Sequence, residues 1–265
     1  LTLSVDIFLA TGKSYEVFSG IDMSNFSSVN FADDIGGWDV SHVTNMFNML
    51  NSNNFNSDIG SWDVSAVTNF NQFVNGSSFN NGGVGGVGVG MDTWNVQAAT
   101  NMTQMFFGAT AFNQYIGSWT LNPAGGLSLS QIFYGASDFD QDLSGWDWSK
   151  VVNISQFMRF KDQPAEEYTS GGVNGVGVGM DAWDMSNITN ASQAFIQLRL
   201  NLYIGSWNLS SCTNMSSMFS NCFGFNQDIG GWTLNTNPLE DVNAAQMFIY
   251  TPGFNNGGVG GVGLG

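Results

Sequence analysis

The chain has 265 residues, of which 43% are hydrophobic and 14% aromatic, enough apolar material for an extended core. Its 21 acidic residues outnumber 5 basic ones, and the formal net charge is −16 at pH 7. This balance argues against nucleic acid and anionic membranes as partners, because both require Lys and Arg. The sequence has no run of about 20 apolar residues, so no membrane insertion is predicted.

Residues 1–30 are atypical and are predicted to form an N-terminal cap. The segment that begins at Ile21 imitates the phrase Trp-Asp-Val-Ser of later segments, with Ile in the place of Trp, and it lies only 17 residues before Trp38. A repeat array needs such a cap because its first unit would otherwise expose an apolar face. Residues 31–265 are predicted to be a single repeat domain.

One phrase recurs eight times in this domain, and each copy contains a tryptophan. A representative copy is Phe55-Asn-Ser-Asp-Ile59-Gly-Ser-Trp62-Asp-Val64-Ser-Ala-Val67-Thr-Asn. Successive tryptophans are 24, 32, 25, 27, 37, 24 and 25 residues apart. A period near 25 residues that tolerates insertions is typical of a solenoid, in which each unit is buried against its neighbours. The eight tryptophans are Trp38, Trp62, Trp94, Trp119, Trp146, Trp183, Trp207 and Trp232.

Each repeat is predicted to contain a short strand, a turn and a short helix. The strand runs from Ile59 to Val64 and alternates in hydrophobicity. Apolar residues at helical spacing follow, as at Val43, Met46 and Met49, around a Thr-Asn pair that suits a helix cap. Stacked units of this kind make a right-handed α/β solenoid, with a parallel sheet on one side and short helices on the other. The tryptophans are expected to form a buried ladder spaced by about 4.8 Å per coil.

Three glycine-rich elements interrupt the repeats at residues 82–90, 171–179 and 257–265. Each enters the same loop, once in every three repeats, and the elements divide the chain into blocks of 90, 89 and 86 residues. Glycine loses more conformational entropy on ordering than other residues. Two interpretations stay open: a close backbone approach to a neighbouring subunit, or a flexible surface loop.

The phrase Phe-Asn-x-Asp-Ile-x-x-Trp-Asp-Val-Ser-x-Val-Thr-Asn-Met resembles the repeat of the BspA-like leucine-rich-repeat surface proteins, a group also described as the DUF285 repeat. The resemblance covers residues 31–256 and recurs eight times. It implies a leucine-rich-repeat-like fold and a secreted or surface-anchored adhesive protein, and it attaches no enzymatic activity. The glycine elements depart from the pattern, as do Thr120-Leu121 and Thr233-Leu234 in the place of Asp-Val.

Acidic side chains recur around the tryptophan and suggest a calcium site. Asp39 and Asp63 follow the tryptophan, whereas Asp34 and Asp58 precede the isoleucine. If the repeats align, Asp34 and Asp58 lie one coil apart and repel each other unless a cation or a hydrogen-bond donor intervenes. Hard oxygen ligands suit Ca²⁺. The alternative is that these residues accept backbone N–H groups in turns. No other cofactor is predicted.

The residue types that most enzymes need are scarce. His42 is the single histidine and is expected to lie exposed in a turn, and the sequence contains no Gly-x-Ser-x-Gly motif. The best acid-base cluster is the insertion from Arg159 to Glu167, which contains Asp162. A solvated loop explains this insertion without any catalytic role. We therefore predict that the protein is not an enzyme. A carbohydrate-processing solenoid is the less favoured alternative.

Eight Asn-x-Ser/Thr sequons are candidates for glycosylation if the chain follows a eukaryotic secretory route. They are Asn25, Asn75, Asn101, Asn153, Asn187, Asn190, Asn208 and Asn214. Cys212 and Cys222 are the two cysteines of the chain. Ten residues of helix would separate them by roughly 15 Å, too far for a disulfide, so bonding requires a shorter helix.

The sequence predicts an extracellular structural or adhesive protein at a cell surface, or alternatively a virion fibre or capsid decoration protein. Its predicted partner is a second copy of itself, in a head-to-tail filament, with a cell-surface glycan or protein receptor as a further partner. The filament contact would pair the apolar start of one chain with the uncapped last coil of another. The residues expected there are Leu1, Leu3, Val5, Phe254, Val259 and Val262. The alternative is that the polypeptide continues past Gly265 and supplies its own next coil.

Overall fold

The computed structural model of the chain describes residues 35–50, 55–76, 78–85, 88–159, 168–173 and 175–258. Some of the predictions above concern residues outside these ranges and stay predictions. They are the cap at residues 1–30, the insertion at residues 160–167, and the roles given to Leu1, Leu3, Val5, Asn25, Asp34, Val259 and Val262.

Regular secondary structure in the described residues consists of very short strands and 3-10 helices. The strands pair in parallel, each with a strand of a different repeat. They are β1 (Leu127–Ser128) with β3 (Val151–Asn153), β2 (Phe133–Tyr134) with β4 (Met158–Arg159), and β5 (Asn208–Leu209) with β6 (Thr233–Leu234). The 3-10 helices are Asn81–Gly83, Gly90–Thr93, Trp148–Lys150, Gly179–Ala182 and Asn256–Gly258.

Parallel backbone hydrogen bonds join each described repeat to the next one along the chain. At the first pair, alternate N–H groups of residues 46–50 donate to carbonyls of residues 69–73 at 2.9 Å. At the last pair, N–H groups of residues 215–221 donate to carbonyls of residues 243–249 at 2.7–2.9 Å. We call this series the backbone ladder. Its bridges include the asparagines of the repeats, namely Asn45, Asn69, Asn101, Asn153, Asn190, Asn214 and Asn243.

The helix that the sequence predicts is not formed, and the backbone ladder occupies its place. Residues 43–49 and 212–219 form turns and a bridge. The residue three positions after the bridging asparagine, or after Ser128 where a serine takes its place, has a positive φ, for example 53° at Gln72. Such a conformation interrupts an α-helix, so the apolar stripe reaches the core without helical hydrogen bonds. The residues at this position are Asn48, Gln72, Gln104, Gln131, Gln156, Gln193, Ser217 and Gln246.

The predicted strand at residues 59–64 is also different in the structure. This segment is a turn, in which the Trp62 N–H donates to the Ile59 carbonyl at 3.1 Å. Gly60 and Ser61 lie between these two residues and suit a turn. Strand pairing directly after a tryptophan occurs at β5 and β6.

The tryptophans form the centre of the core, as the sequence predicts. Trp62, Trp119 and Trp207 expose 3%, 1% and 1% of their surface. Rings in adjacent repeats stack with 5.9–6.4 Å between centroids, wider than the expected spacing. These distances are typical of offset-stacked aromatic pairs. A second column contains Phe55, Phe79, Phe112 and Phe139, with 5.7–6.0 Å between consecutive centroids.

Trp148 changes the hydrogen bonding of the tryptophan column. In regular repeats the indole N–H donates at 2.7–3.2 Å to the carbonyl three residues before the preceding tryptophan, as from Trp207 to Met180. Trp183 should therefore donate to Leu143. Trp148 instead donates to that carbonyl at 2.9 Å and stacks on Trp183 with 3.9 Å between centroids. The indole N–H of Trp183 is left buried without a hydrogen-bond partner.

Candidate binding and assembly surfaces

The described aspartates among the predicted calcium ligands all cap turns. Asp58 Oδ1 accepts the N–H of Gly60 at 2.9 Å, and Asp63 Oδ1 accepts the N–H of Ser65 at 3.0 Å. The hydroxyl and N–H of Ser41 donate to Asp39 and lower the pKa of its carboxyl. In the described part of the chain, no three His, Cys, Asp or Glu side chains form a group suited to a metal ion. Calcium binding stays a prediction, since Asp34 lies outside that part.

A ladder of side-chain amides accompanies the backbone ladder, and we call it the glutamine ladder. Gln72 Nε2 donates to Gln104 Oε1 at 2.7 Å, and Gln156 Nε2 donates to Gln193 Oε1 at 2.6 Å. Gln131 connects these two pairs. This ladder was not predicted from the sequence, although a glutamine recurs three residues after the bridging position in most repeats and signals it. The ladder satisfies half-buried polar groups without introducing charge.

An aspartate closes each of the first two glycine elements. The Gly88 N–H donates to Asp92 Oδ2, and the Gly177 N–H donates to Asp181 Oδ2 at 2.7 Å. Both aspartates belong to 3-10 helices at the end of their elements. The described parts of these elements are therefore tied to the residues that follow them.

The first glycine element also packs closely on the preceding repeat. A Cβ on Gly60 would lie 2.4 Å from the Cα of Gly90, which itself has a φ of 73°, so larger residues are excluded at both positions. Four valines of the elements are 42–77% exposed, namely Val84, Val89, Val176 and Val178. A close backbone approach thus exists within the chain, and an approach to a neighbouring subunit stays a prediction.

The described sequons fall into two environments. Four of them belong to the backbone ladder, where each asparagine Oδ1 accepts the N–H of the sequon's own Ser or Thr at 2.9–3.1 Å. These four are Asn101, Asn153, Asn190 and Asn214. Asn187 and Asn208 are exposed, and Asn187 Nδ2 donates to the carbonyl of Ser149 at 2.9 Å. Asn75 is half-buried. The Oδ1 of Asn208 accepts the N–H of its own sequon serine, Ser210, at 3.0 Å. Glycosylation stays a prediction.

The described residues add two observations on reactive side chains. His42 is exposed, as predicted. Cys212 and Cys222 are free and buried, and burial raises the pKa of the Cys222 thiol to about 12. A thiol with a raised pKa is a poor nucleophile, because the thiolate is the reactive form.

Among the described residues, no helix has the length and apolar character that a bilayer crossing requires.

The last described repeat presents an open edge and an apolar face, which we call the terminal face. The N–H groups of Ala244, Gln246 and Phe248 occupy donor positions of the backbone ladder, yet none donates within the described residues. Leu234 is 46% exposed, whereas Leu209, at the same position one repeat earlier, is fully buried. The terminal face therefore exposes the donors and the apolar surface that one more repeat would cover.

The backbone ladder, the glutamine ladder and the aromatic columns each run from one repeat to the next. They define a protein built of similar repeats, in which each repeat pairs with its neighbour in the chain. A family model described as "Mycoplasma protein of unknown function, DUF285" matches residues 14–87, 88–170 and 167–259. The chain therefore belongs to this family, and the DUF285 part of the resemblance is confirmed. The matched segments end at or near the glycine elements. No curated protein matches the chain, and no solved structure matches it.

Proposed function

We propose that the protein is an extracellular structural or adhesive protein whose repeats assemble head to tail into a surface fibre. The observation that carries this proposal is the terminal face, where three ladder donors are unpaired in the described residues and Leu234 is 46% exposed. An edge with unpaired N–H groups and apolar side chains is a template for pairing with another chain.

A second copy of the chain is the occupant that fits the terminal face. Each repeat already pairs in parallel with a similar repeat. The apolar start of another copy, which the sequence predicts for this contact, would have to present acceptors at the same spacing. A head-to-tail contact of this type joins two different surfaces, so it propagates without closing. The net charge of −16 opposes association, and salt weakens this repulsion. Assembly is therefore expected to increase with ionic strength.

The adhesive part of the proposal rests on residue chemistry. The half-buried amides of the glutamine ladder are uncharged, and each retains one N–H and one lone pair beyond the bonds to its neighbours. A regular array of such groups suits binding more than catalysis. A virion fibre would use the same assembly, and finding the chain in purified particles would distinguish that location from a cell surface.

We predict that Leu234→Lys prevents assembly. The change places a charge on the terminal face and removes the burial of one leucine, worth about 1.5–3 kcal/mol. Association should weaken by about tenfold or more. Light scattering of the 265-residue chain at micromolar concentration, with and without added salt, measures the effect.

Gln97→Lys is the matched control, because Gln97 is exposed within an internal repeat and the substitution adds the same charge. The control should assemble like the wild type. A wild-type chain that stays monomeric at high salt would show that the assembly proposal is wrong, and so would equal loss of assembly in both variants.

A further inference from the structure

A groove lined by aromatic residues crosses the last two described repeats. It is a shallow, open depression of about 470 Å³, lined by Asn221, Phe223, Phe248, Tyr250, Thr251 and Pro252. Phe223 is 40% exposed and Tyr250 is 73% exposed. We call it the aromatic groove. Its volume lies in the range of pockets that hold small ligands, which is roughly 300–1,000 Å³.

The backbone at Tyr250 is the least expected feature of the groove. Tyr250 has a φ of 57°, a left-handed conformation that is unfavourable for a bulky side chain. The same position holds Gln197 and Asn221 in the two preceding repeats, with φ values of 59° and 55°. Asparagine adopts this conformation more readily than tyrosine. An exposed tyrosine here gains little from burial, so burial does not explain the choice of tyrosine at this position.

The chemistry of the groove is aromatic, polar and uncharged. Phe223 and Tyr250 form no ring–ring contact with another aromatic side chain in the described residues, whereas Phe248 stacks on Phe254 with 4.1 Å between centroids. The Thr251 hydroxyl donates to the carbonyl of Phe219, and its oxygen can still accept. The Tyr250 hydroxyl makes no hydrogen bond within the described chain and is available to a ligand.

We propose that the aromatic groove binds a neutral sugar residue of a glycan. The exposed rings would pack on the C–H face of the sugar, and the Tyr250 hydroxyl and the Asn221 amide would bond to its hydroxyl groups. The lining contains no charged side chain, so it has no group that would pair with a sulfate, phosphate or carboxylate. This inference rests on the adhesive part of the proposed function and names the class of ligand. The aromatic groove and the terminal face share Phe248, so the inference applies to the unassembled chain and to the last copy of a fibre.

Titration calorimetry with neutral oligosaccharides tests the proposal. The probes are cellohexaose, chitohexaose and mannohexaose, with a hyaluronan oligosaccharide as the anionic comparison. At least one neutral probe should bind with one site per chain, and Tyr250→Asn and Phe223→Ala should each weaken it by about tenfold. Tyr250→Asn restores the residue type of the preceding repeat, so this variant is expected to fold.

Phe47→Ala is the matched control, because Phe47 is an aromatic residue of similar exposure, 37%, in the first described repeat. It should bind like the wild type. The titrations are repeated in Leu234→Lys, so that a failure of assembly and a failure of glycan binding are distinguished. The proposal is overturned if no neutral probe binds, if only the anionic probe binds, or if Phe47→Ala loses as much affinity as Tyr250→Asn. Loss of assembly without loss of sugar binding in Tyr250→Asn would assign the groove to a second copy instead.

Discussion

Trp183 is a buried tryptophan whose indole N–H has no hydrogen-bond partner among the residues that the structure describes. A buried donor left unsatisfied costs about 1–3 kcal/mol. The cause is Trp148, which donates to the Leu143 carbonyl that the pattern assigns to Trp183. Trp148 occupies the position of a valine in the repeat, so its large ring extends the aromatic stack at the expense of one hydrogen bond.

We predict that Trp183→Phe is less destabilising than Trp207→Phe. Both side chains are buried to a similar degree, with 2% and 1% exposed, so the loss of apolar contact is comparable. The second change also breaks the bond from Trp207 to the Met180 carbonyl, which measures 2.8 Å. The difference in the free energy of unfolding should be about 1–3 kcal/mol, measured by urea denaturation. Equal effects would show that Trp183 has a partner in solution.

Cys222 makes the stability of the protein sensitive to alkaline pH. Burial raises the pKa of its thiol from 9.0 to about 12. Below pH 9 the thiol is protonated in both states, and its contribution is fully present. As pH rises further, the unfolded chain loses the proton first, so stability falls until the pKa of the folded state is passed.

The predicted result is a decline of up to ~1.4 kcal/mol per pH unit above pH 9 that is absent from Cys222→Ala. Thermal unfolding of both proteins between pH 9 and 12 checks it. Lysines and tyrosines titrate in both proteins, so the difference between the two curves is the relevant quantity. Parallel curves would contradict the prediction.

At the scale of the element, the segment after each bridging asparagine is the clearest case in which sequence and structure differ. The spacing of Val43, Met46 and Met49 indicates a helix, and these residues are buried as a helical stripe would be. The periodicity correctly predicts which residues face the core. The periodicity does not identify the backbone conformation. A turn capped by an asparagine and continued by a left-handed residue places the same side chains in the core as a helix would.

Two substitutions, Gln131→Gly and Gln131→Ala, distinguish a helical backbone from the observed left-handed conformation at this residue. In a helix, alanine would be more stable than glycine by about 1 kcal/mol. At the observed φ of 58°, glycine is expected to be the more stable of the two, by about 1 kcal/mol. Both variants lose the same amide bonds of the glutamine ladder, so the comparison isolates the backbone. Urea unfolding of the two variants gives the order, and alanine above glycine would contradict the structure.

At the scale of the whole molecule, the tryptophan period was the most informative part of the sequence. It predicts the recurring units and the buried aromatic column, both of which the described residues contain. Hydrogen bonding between repeats was less predictable, since residues 22 to 38 positions apart form it, as in the bonds from Ile59 to Asn81 and from Arg159 to Gln197. The aromatic groove was not predicted, because Tyr250 and Phe223 are ordinary residues in the sequence and approach each other only when the repeats pair.

The glycine elements bear on how chains of different length can arise. Gly90 and Gly179 end two of these elements, and each is followed by the same dipeptide, Met-Asp. Recombination between the two corresponding stretches of the gene would add or remove 89 residues, a block of three repeats. Each new junction would join a repeat to a neighbour of a type already present, because hydrogen bonds run between adjacent repeats. Such an exchange would change the length of the repeat array by whole blocks of three repeats. Every junction between repeats would still join two repeat types that are already neighbours in this chain.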